Sequence, residues 1–177
     1  YACVGVVSSL LTQALLPYCL YVAHAEPNTC ATVSTFVNLP WGFKLVYGFI
    51  SDCVPICGLH RKPYLALGWG LTALLALLLA LAPRISLPLA ASAFLAMTVA
   101  YLLADCAADA ALVRYSTAEP AACRGTLLAT AYSIRFGCSV LASALVAFLF
   151  NGPPSGGDFG WGLSTQQLMW IVVLAVG

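Results

Sequence analysis

The sequence carries very little charge for its length. Only 7 of its 177 residues are Lys or Arg and 6 are Asp or Glu, whereas 62% of the residues are hydrophobic. Because a soluble domain has about 25% charged residues, this composition excludes a soluble globular domain and indicates an integral membrane protein. A net charge of +1 also leaves no basic surface for a nucleic acid, so we exclude that class of partner.

Catalytic and metal-binding signatures are missing as well. The sequence has no nucleophile–base pattern, phosphate-binding loop or metal-ligand motif, so we expect no enzymatic activity, no cofactor and no bound metal. The 8 cysteines lie mostly in apolar stretches, where Cys behaves as a small hydrophobic residue. Cys53 and Cys57, with only His60 nearby, supply too few ligands for a typical zinc site.

Long apolar stretches dominate what is present. A membrane-spanning helix needs about 20 predominantly apolar residues. The candidate helices fall at about residues 1–23, 30–51, 63–81, 87–113, 125–150 and 165–177. The chain begins and ends inside apolar stretches and has no initiator Met, so we expect a fragment of a longer multi-pass protein with its first and last helices truncated.

The basic residues of the short loops predict how the helices are oriented. Cytoplasmic loops of membrane proteins are enriched in Lys and Arg. The loops after the second and fourth helices contain Arg61, Lys62, Arg114 and Arg124, whereas the opposite loops contain only Arg84. We therefore expect the second-to-third and fourth-to-fifth loops to face the cytoplasm. The sequence does not distinguish the plasma membrane from an organellar membrane.

Four ionisable residues, Lys44, Asp105, Asp109 and Arg135, lie within the apolar stretches. A charge in the bilayer core costs roughly 2.5–3.5 kcal/mol on insertion scales and usually marks a functional site. Asp105 and Asp109 are one helical turn apart, so they share a helix face. Because adjacent carboxylates resist ionising together unless cations intervene, we expect Lys44 or Arg135 to pair with Asp105.

Two interpretations of these charges stay open. They could form a pathway for a solute or a proton, or they could be a structural ion pair that holds the second, fourth and fifth helices together. Gln13, in the middle of the first helix, has the same ambiguity. It could line the cavity or form a hydrogen bond between helices.

The segment from Leu39 to Tyr64 is the most distinctive part of the sequence. Its characteristic residues are Pro40, Trp41, Lys44, Tyr47, Gly48, Ser51, Asp52, Pro55, Gly58, Arg61, Lys62 and Tyr64. This pattern resembles the signature of the folate–biopterin transporter family, a branch of the major facilitator superfamily. The segments around Asp105-Cys106-Ala107-Ala108-Asp109-Ala110 and Arg135-Phe136-Gly137 are similar to two shorter patterns of that family.

The resemblance implies an all-α membrane protein, of which this chain is the N-terminal half, about six helices of a major facilitator-type bundle. It implies a secondary-active, proton-coupled transporter of folate or biopterin that works by alternating access, with its site near the membrane midplane. The expected partners are the pterin substrate, protons, the lipid bilayer and the C-terminal half of the same protein.

The resemblance also implies roles for individual residues. Lys44 and Arg135 would bind substrate carboxylates, and Asp105 would bind the pterin or the coupling proton. Trp41 would stack on the pterin or simply pack in the core. The expected cytoplasmic gate comprises Gly48, Asp52, Gly58, Arg61 and Lys62, although loop charge alone also accounts for the two basic residues. Two other functions stay open, namely a related facilitator of another small organic solute and a membrane protein with a structural or receptor role.

Overall fold

The computed structural model describes residues 1–56, 58–82, 85–149, 151–153 and 157–176, and the helices account for most of them. The α-helices are α1 (Ala2–Pro17), α2 (Pro27–Asn38), α3 (Lys44–Cys53), α4 (Lys62–Leu81), α5 (Leu87–Ser116), α6 (Thr126–Leu149) and α7 (Thr165–Val176). Short 3-10 helices lie at Leu39–Phe43 and Ala121–Cys123, and a π-helical turn at Tyr18–Val22 extends α1. The architecture of the described residues is therefore all-helical, as predicted.

Four helical segments are long and apolar enough to cross a membrane. They are Ala2–Val22, Lys62–Leu81, Leu87–Ser116 and Ala121–Leu149, and α7 is a shorter apolar helix. Each lies within a few residues of a predicted span. The helix ends predicted at Phe150 and Gly177 lie outside the described residues. Arg84, which was used to predict the orientation, lies outside them as well.

The second predicted helix, residues 30–51, differs most from the structure. It begins earlier, at Pro27, and is divided into α2 and α3 by the 3-10 turn Leu39–Phe43. Pro40 lies in this turn, and proline disrupts an α-helix because it has no N–H donor and clashes with the preceding turn. The interruption lies next to Lys44, the first residue of α3.

The helix α5 occupies the middle of the bundle. It packs against α4 and α3 most extensively and also contacts α2 and α6, while α1 packs against α6 and α4 against α7. The buried core contains Phe94, Met97 and Tyr101 of α5 together with Leu15 of α1. Because other helices surround α5 on several sides, its polar side chains can be shielded from the environment outside the bundle.

A ladder of small and polar residues joins α1 to α6. The Ser9 and Ser139 hydroxyls lie 2.5 Å apart, and Gln13 Nε2 donates a hydrogen bond to Ser143 Oγ at 2.6 Å. One turn before Ser9 on α1, a Cβ atom at Gly5 would collide with the backbone carbonyl of Arg135. Small residues let helix backbones approach closely in membranes, so Gly5 allows α6 to lie where its Arg135 reaches α5.

Cys19 and Cys30 form a disulfide between the start of the π-helical turn and the first turn of α2. This bond was not predicted, since both cysteines lie in apolar segments that indicate hydrophobic packing. Both are buried, with exposed fractions of 0% and 1%. The bond ties the π-helical extension of α1 to the start of α2.

Candidate functional site

The four ionisable residues of the apolar helices form one connected cluster. Lys44 Nζ donates to Asp105 Oδ2 and to Asp109 Oδ2, at 2.7 Å in both cases. Arg135 Nη1 lies 2.9 Å from Asp105 Oδ1 and 3.2 Å from Oδ2. The cluster therefore contains two cations and two anions and has no net charge. Asp105 pairs with both cations, where the sequence had predicted at least one.

The two carboxylates of the cluster lie in different surroundings. The Asp105 side chain is 0% exposed, whereas that of Asp109 is 21% exposed. Asp105 is held by Lys44 and Arg135, and Asp109 by Lys44 and by the phenol of Tyr1, which donates to Asp109 Oδ1 at 2.7 Å. The Asp105 carboxylate is thus enclosed between two cations, whereas the Asp109 carboxylate is partly exposed.

An aromatic pair borders the cluster. The Trp41 indole N–H donates to the Tyr101 hydroxyl at 3.0 Å, and the two rings meet edge to face with centroids 6.1 Å apart. Lys44 Nζ and Arg135 Cζ lie 5.7 Å and 5.8 Å from the centroid of the Trp41 ring. These distances fall within cation–π range, so Trp41 contacts both cations while Tyr101 fixes its orientation.

Two residues of the site, Tyr1 and Tyr101, were not among those predicted from the sequence. Tyr101 precedes Asp105 by one helical turn, as Asp105 precedes Asp109, so the three side chains follow one face of α5. That spacing is a signal the sequence contained. Tyr1 carries no comparable signal, because its contact with Asp109 joins residues 108 positions apart.

Gln13 lies away from the charged cluster. Its amide bonds to Ser143 on α6, which matches the helix–helix alternative considered for it. Among the described residues, no group of three or more His, Cys, Asp or Glu side chains is arranged to hold a metal ion. Cys57, considered with Cys53 and His60, lies outside the described residues.

The expected gate residues Asp52 and Arg61 are in contact at the end of the bundle where α3 stops and α4 starts. Arg61 Nε and Nη2 both donate to Asp52 Oδ1 at 3.2 Å, and Arg61 Nη1 donates to the Ala110 carbonyl of α5 at 2.8 Å. One arginine therefore ties the α3–α4 connection to α5. Lys62 lies beside it and lines, with Arg114 among others, an open cavity of about 700 Å³.

The two glycines of the expected gate have different surroundings. Gly58 has a φ of +76° in a tight turn whose ends, Ile56 and Leu59, exchange backbone hydrogen bonds of 3.0 Å. Glycine adopts this left-handed conformation without steric cost. A Cβ atom at Gly48 would meet nothing within 4 Å among the described residues. The expected role of Gly48 in the gate stays a prediction.

Long apolar helices that enclose a neutral cluster of four charges define a multi-pass helical membrane protein. Comparison with known families gives a more specific assignment. The model of the BT1 family matches residues 4–156, and the chain belongs to this family. No solved structure matches the chain significantly.

Curated relatives match either most of the chain or a short part of it. The chain is 27% identical to probable folate-biopterin transporter 2 of Arabidopsis thaliana over 150 residues, covering 84% of this chain and 28% of that protein. It is 27% identical to probable folate-biopterin transporter 5 of the same plant over 154 residues, covering 85% and 31%. A segment of 45 residues is 47% identical to folate transporter 1 of Plasmodium falciparum, covering 25% and 9%. The chain thus spans less than a third of the length of these relatives.

Proposed function

We propose that the full-length protein is a secondary-active transporter of folate- or biopterin-type pterins, that protons drive it, and that it works by alternating access. Membership of the BT1 family and the names of the relatives from Arabidopsis and Plasmodium support the substrate class. In this proposal the chain contributes the N-terminal half of the transporter, and a C-terminal half completes the site.

The observation that carries the proposal is the neutral cluster of Lys44, Asp105, Asp109 and Arg135. Intramembrane charges that only hold helices together need no accessible side. Here Lys44 is 31% exposed and Asp109 is 21% exposed. A charged group that is both paired and accessible can exchange its partner for a solute or a proton, which favours a pathway over a purely structural ion pair.

The charge balance of the cluster gives a reason for proton coupling. An anionic substrate carboxylate that binds Lys44 competes with Asp109 for the same ammonium group. Its arrival would leave an excess negative charge in a medium of low dielectric constant, which is costly. Uptake of one proton by Asp109 restores neutrality. Binding of the anion and binding of the proton then favour each other, which is the requirement for symport.

Arg135 is the residue best placed to bind a second acidic group of the substrate. It holds Asp105 through Nη1, and in the described part of the chain Nη2 and Nε make no hydrogen bond. This remaining edge of the guanidinium has the fork geometry that binds a carboxylate with two parallel hydrogen bonds. Asp105 fixes the other edge, so Arg135 is oriented before the substrate arrives.

Trp41 fits a packing and positioning role better than pterin stacking. Its ring already contacts both cations, and its indole N–H is committed to Tyr101. A pterin that stacked on the face near the cations would displace them from the ring. We therefore assign Trp41 to holding Lys44 and Arg135 in place, and the substrate to the cations themselves.

The Asp52–Arg61 contact is the part of the site that we assign to gating. Arg61 joins Asp52 and the Ala110 carbonyl at an exposed end of the bundle. Exposed ion pairs of this kind are worth at most about 1 kcal/mol, so the contact can break and re-form during a transport cycle. Gly58 permits the turn that brings Arg61 back towards Asp52, and Gly48 and Lys62 complete the proposed gate.

The experiment that tests the proposal is uptake of labelled folate and biopterin by the full-length protein in cells that lack their own route. Uptake is measured at acidic and at neutral external pH, with surface expression quantified in parallel. We expect pterin uptake that rises at acidic pH and that is strongly reduced in an Arg135→Lys variant, which keeps a positive charge beside Asp105 but loses the planar fork of the guanidinium. A correctly inserted protein that takes up neither pterin would contradict the substrate assignment and point to another solute.

A further inference from the structure

Five of the seven described cysteines lie near the ends of the bundle, in two groups at opposite ends, while Cys106 and Cys138 lie within α5 and α6. Cys3, Cys53 and Cys123 are free and exposed, and all three lie at the end where α1 and α4 begin and α3 and α5 finish. Cys19 and Cys30 lie at the other end and form the disulfide. The oxidation state of the cysteines therefore differs between the two ends.

The geometry of the α1–α2 corner brings the paired cysteines together. The Ala25 amide donates to the Cys19 carbonyl at 3.1 Å, and the Cys30 amide donates to the Glu26 carbonyl at 3.0 Å. The Cα atoms of Cys19 and Cys30 lie 5.7 Å apart, within the usual separation for a disulfide. The backbone alone thus places the two thiols within bonding reach.

Neutral hydrogen bonds connect this corner to the other loops at the same end. The Tyr18 hydroxyl donates to the Ile85 carbonyl at 2.9 Å, just before α5 begins. Gln166 Nε2 donates to the Ala82 carbonyl at 2.8 Å, just after α4 finishes. The disulfide therefore belongs to an end of the bundle where three separate connections meet.

Disulfides persist in oxidising compartments, whereas cytosolic glutathione keeps exposed thiols reduced. The end with the free thiols is also the end with Arg61, Lys62, Arg114 and Arg124, which are typical of cytoplasmic loops. Thiol chemistry and loop charge are independent properties of the sequence. Their agreement links the oxidised end to the side of the membrane away from the cytoplasm.

We propose that the Cys19–Cys30 disulfide is a permanent cross-link that faces an oxidising compartment, and that the end with Cys53 and Cys123 faces the cytoplasm. The bond forms when the two thiols lose two protons and two electrons to the disulfide of a thiol–disulfide oxidoreductase, which is reduced to its dithiol. This inference concerns the covalent structure and sidedness of the chain and does not depend on what the protein transports.

The first test is a direct mass measurement on the full-length protein. The membranes are treated with a permeant maleimide to block free thiols, and the protein is digested with chymotrypsin without reduction. Tyr21 lies between the two cysteines and offers a cleavage site. We expect a linked pair of peptides, one with Cys19 and one with Cys30, that separates on reduction. Separate peptides that both carry the maleimide would overturn the proposal. No variant is needed, so a folding defect cannot obscure the result.

The second test determines sidedness with a membrane-impermeant maleimide on sealed vesicles of each orientation. We expect the label to reach Cys53 and Cys123 only where the cytoplasmic face is outside. Cys53→Ser and Cys123→Ser identify the labelled positions, and the double variant should lose that labelling while the disulfide stays intact. Labelling of these two cysteines from the face away from the cytoplasm would overturn the assignment.

Discussion

Asp105 and Asp109 lie one turn apart on the same helix, yet they have different surroundings. Asp105 is fully buried and contacts two cations, whereas Asp109 is 21% exposed and contacts one cation and one phenol. Asp105 thus has two cationic partners in the interior of the bundle, where an unbalanced charge is costly. In the proposed transport cycle, Asp109 exchanges Lys44 for the substrate anion and takes up a proton.

This difference indicates that the two aspartates on this face of α5 have different roles. In the proposed transporter, Asp105 is the anchor that sets the positions of Lys44 and Arg135, and Asp109 is the exchangeable member. The resemblance to the family implied that Asp105 binds the pterin or the coupling proton. Because Asp105 is completely buried between two cations, we assign it the anchor role and propose that Asp109 binds the proton. The variants below test that division.

Replacing Asp105 with Asn should have the largest effect. The change leaves Lys44 and Arg135 with only Asp109 to balance them, and breaking a buried ion pair from one side costs about 3–5 kcal/mol. We expect the full-length variant to lose most of its folded population, measured by fluorescence-detected size-exclusion chromatography. Uptake should fall to background for that reason.

The matched control for Asp105→Asn removes the unpaired cation as well. The double variant Asp105→Asn with Arg135→Gln restores neutrality, so we expect it to recover much of the folded population without recovering transport. If the single variant is as well folded and as active as the wild type, Asp105 is not the anchor.

Replacing Asp109 with Asn should leave the fold intact, because Asp105 still pairs with both cations. We expect uptake at acidic pH to fall by about tenfold, equivalent to about 1.4 kcal/mol, and the difference between acidic and neutral pH to disappear. Uptake in cells at the two pH values measures this. Asp109→Glu is the control and should keep the pH dependence. A loss of folded protein equal to that of Asp105→Asn would remove the distinction between the two carboxylates.

Replacing Gly5 with Ala should disturb the packing of α1 against α6, which positions Arg135 beside Asp105. The added Cβ atom collides with the carbonyl of Arg135 and pushes α1 and α6 apart, and overpacking of this kind costs about 1–3 kcal/mol. We expect a lower melting temperature in detergent and weaker uptake with an unchanged pH profile. Gly137→Ala is the matched control, since a Cβ atom there meets nothing within 4 Å. Equal destabilisation by both substitutions would contradict the account of Gly5.

Replacing Tyr1 with Phe should have the smallest effect and should act on Asp109 alone. The phenol donates to the Asp109 carboxylate, and one hydrogen bond of this kind contributes about 1 kcal/mol. We expect uptake in cells to fall by no more than about fivefold, with folding unchanged. A loss of uptake larger than that of Asp109→Asn would contradict this ranking.

The sequence predicted the helical architecture and the membership of the charged cluster from local information. Apolar length indicates a spanning helix, and four charges in apolar helices must find one another because the alternative is costly. The break at Leu39–Phe43 was missed, because apolar composition continues through Pro40 and conceals the change in backbone.

The unequal roles of the two aspartates could not be predicted from spacing. Asp105 and Asp109 share a helix face by their separation, but their burial depends on where α6 places Arg135, and that depends on the close contact at Gly5. The Cys19–Cys30 pair was missed for a similar reason. Each cysteine lies in an apolar segment, and neither segment indicates that the turn between α1 and α2 brings the two thiols together.

The most direct test is infrared difference spectroscopy of the purified full-length protein, recorded before and after the addition of folate at one fixed pH. A protonated carboxyl group gives a distinct C=O stretching band. We expect a band that appears when folate binds to the wild type, is absent in Asp109→Asn and is retained in Gly5→Ala. A band that appears unchanged in Asp109→Asn would assign the proton to another group and contradict the division between the two aspartates.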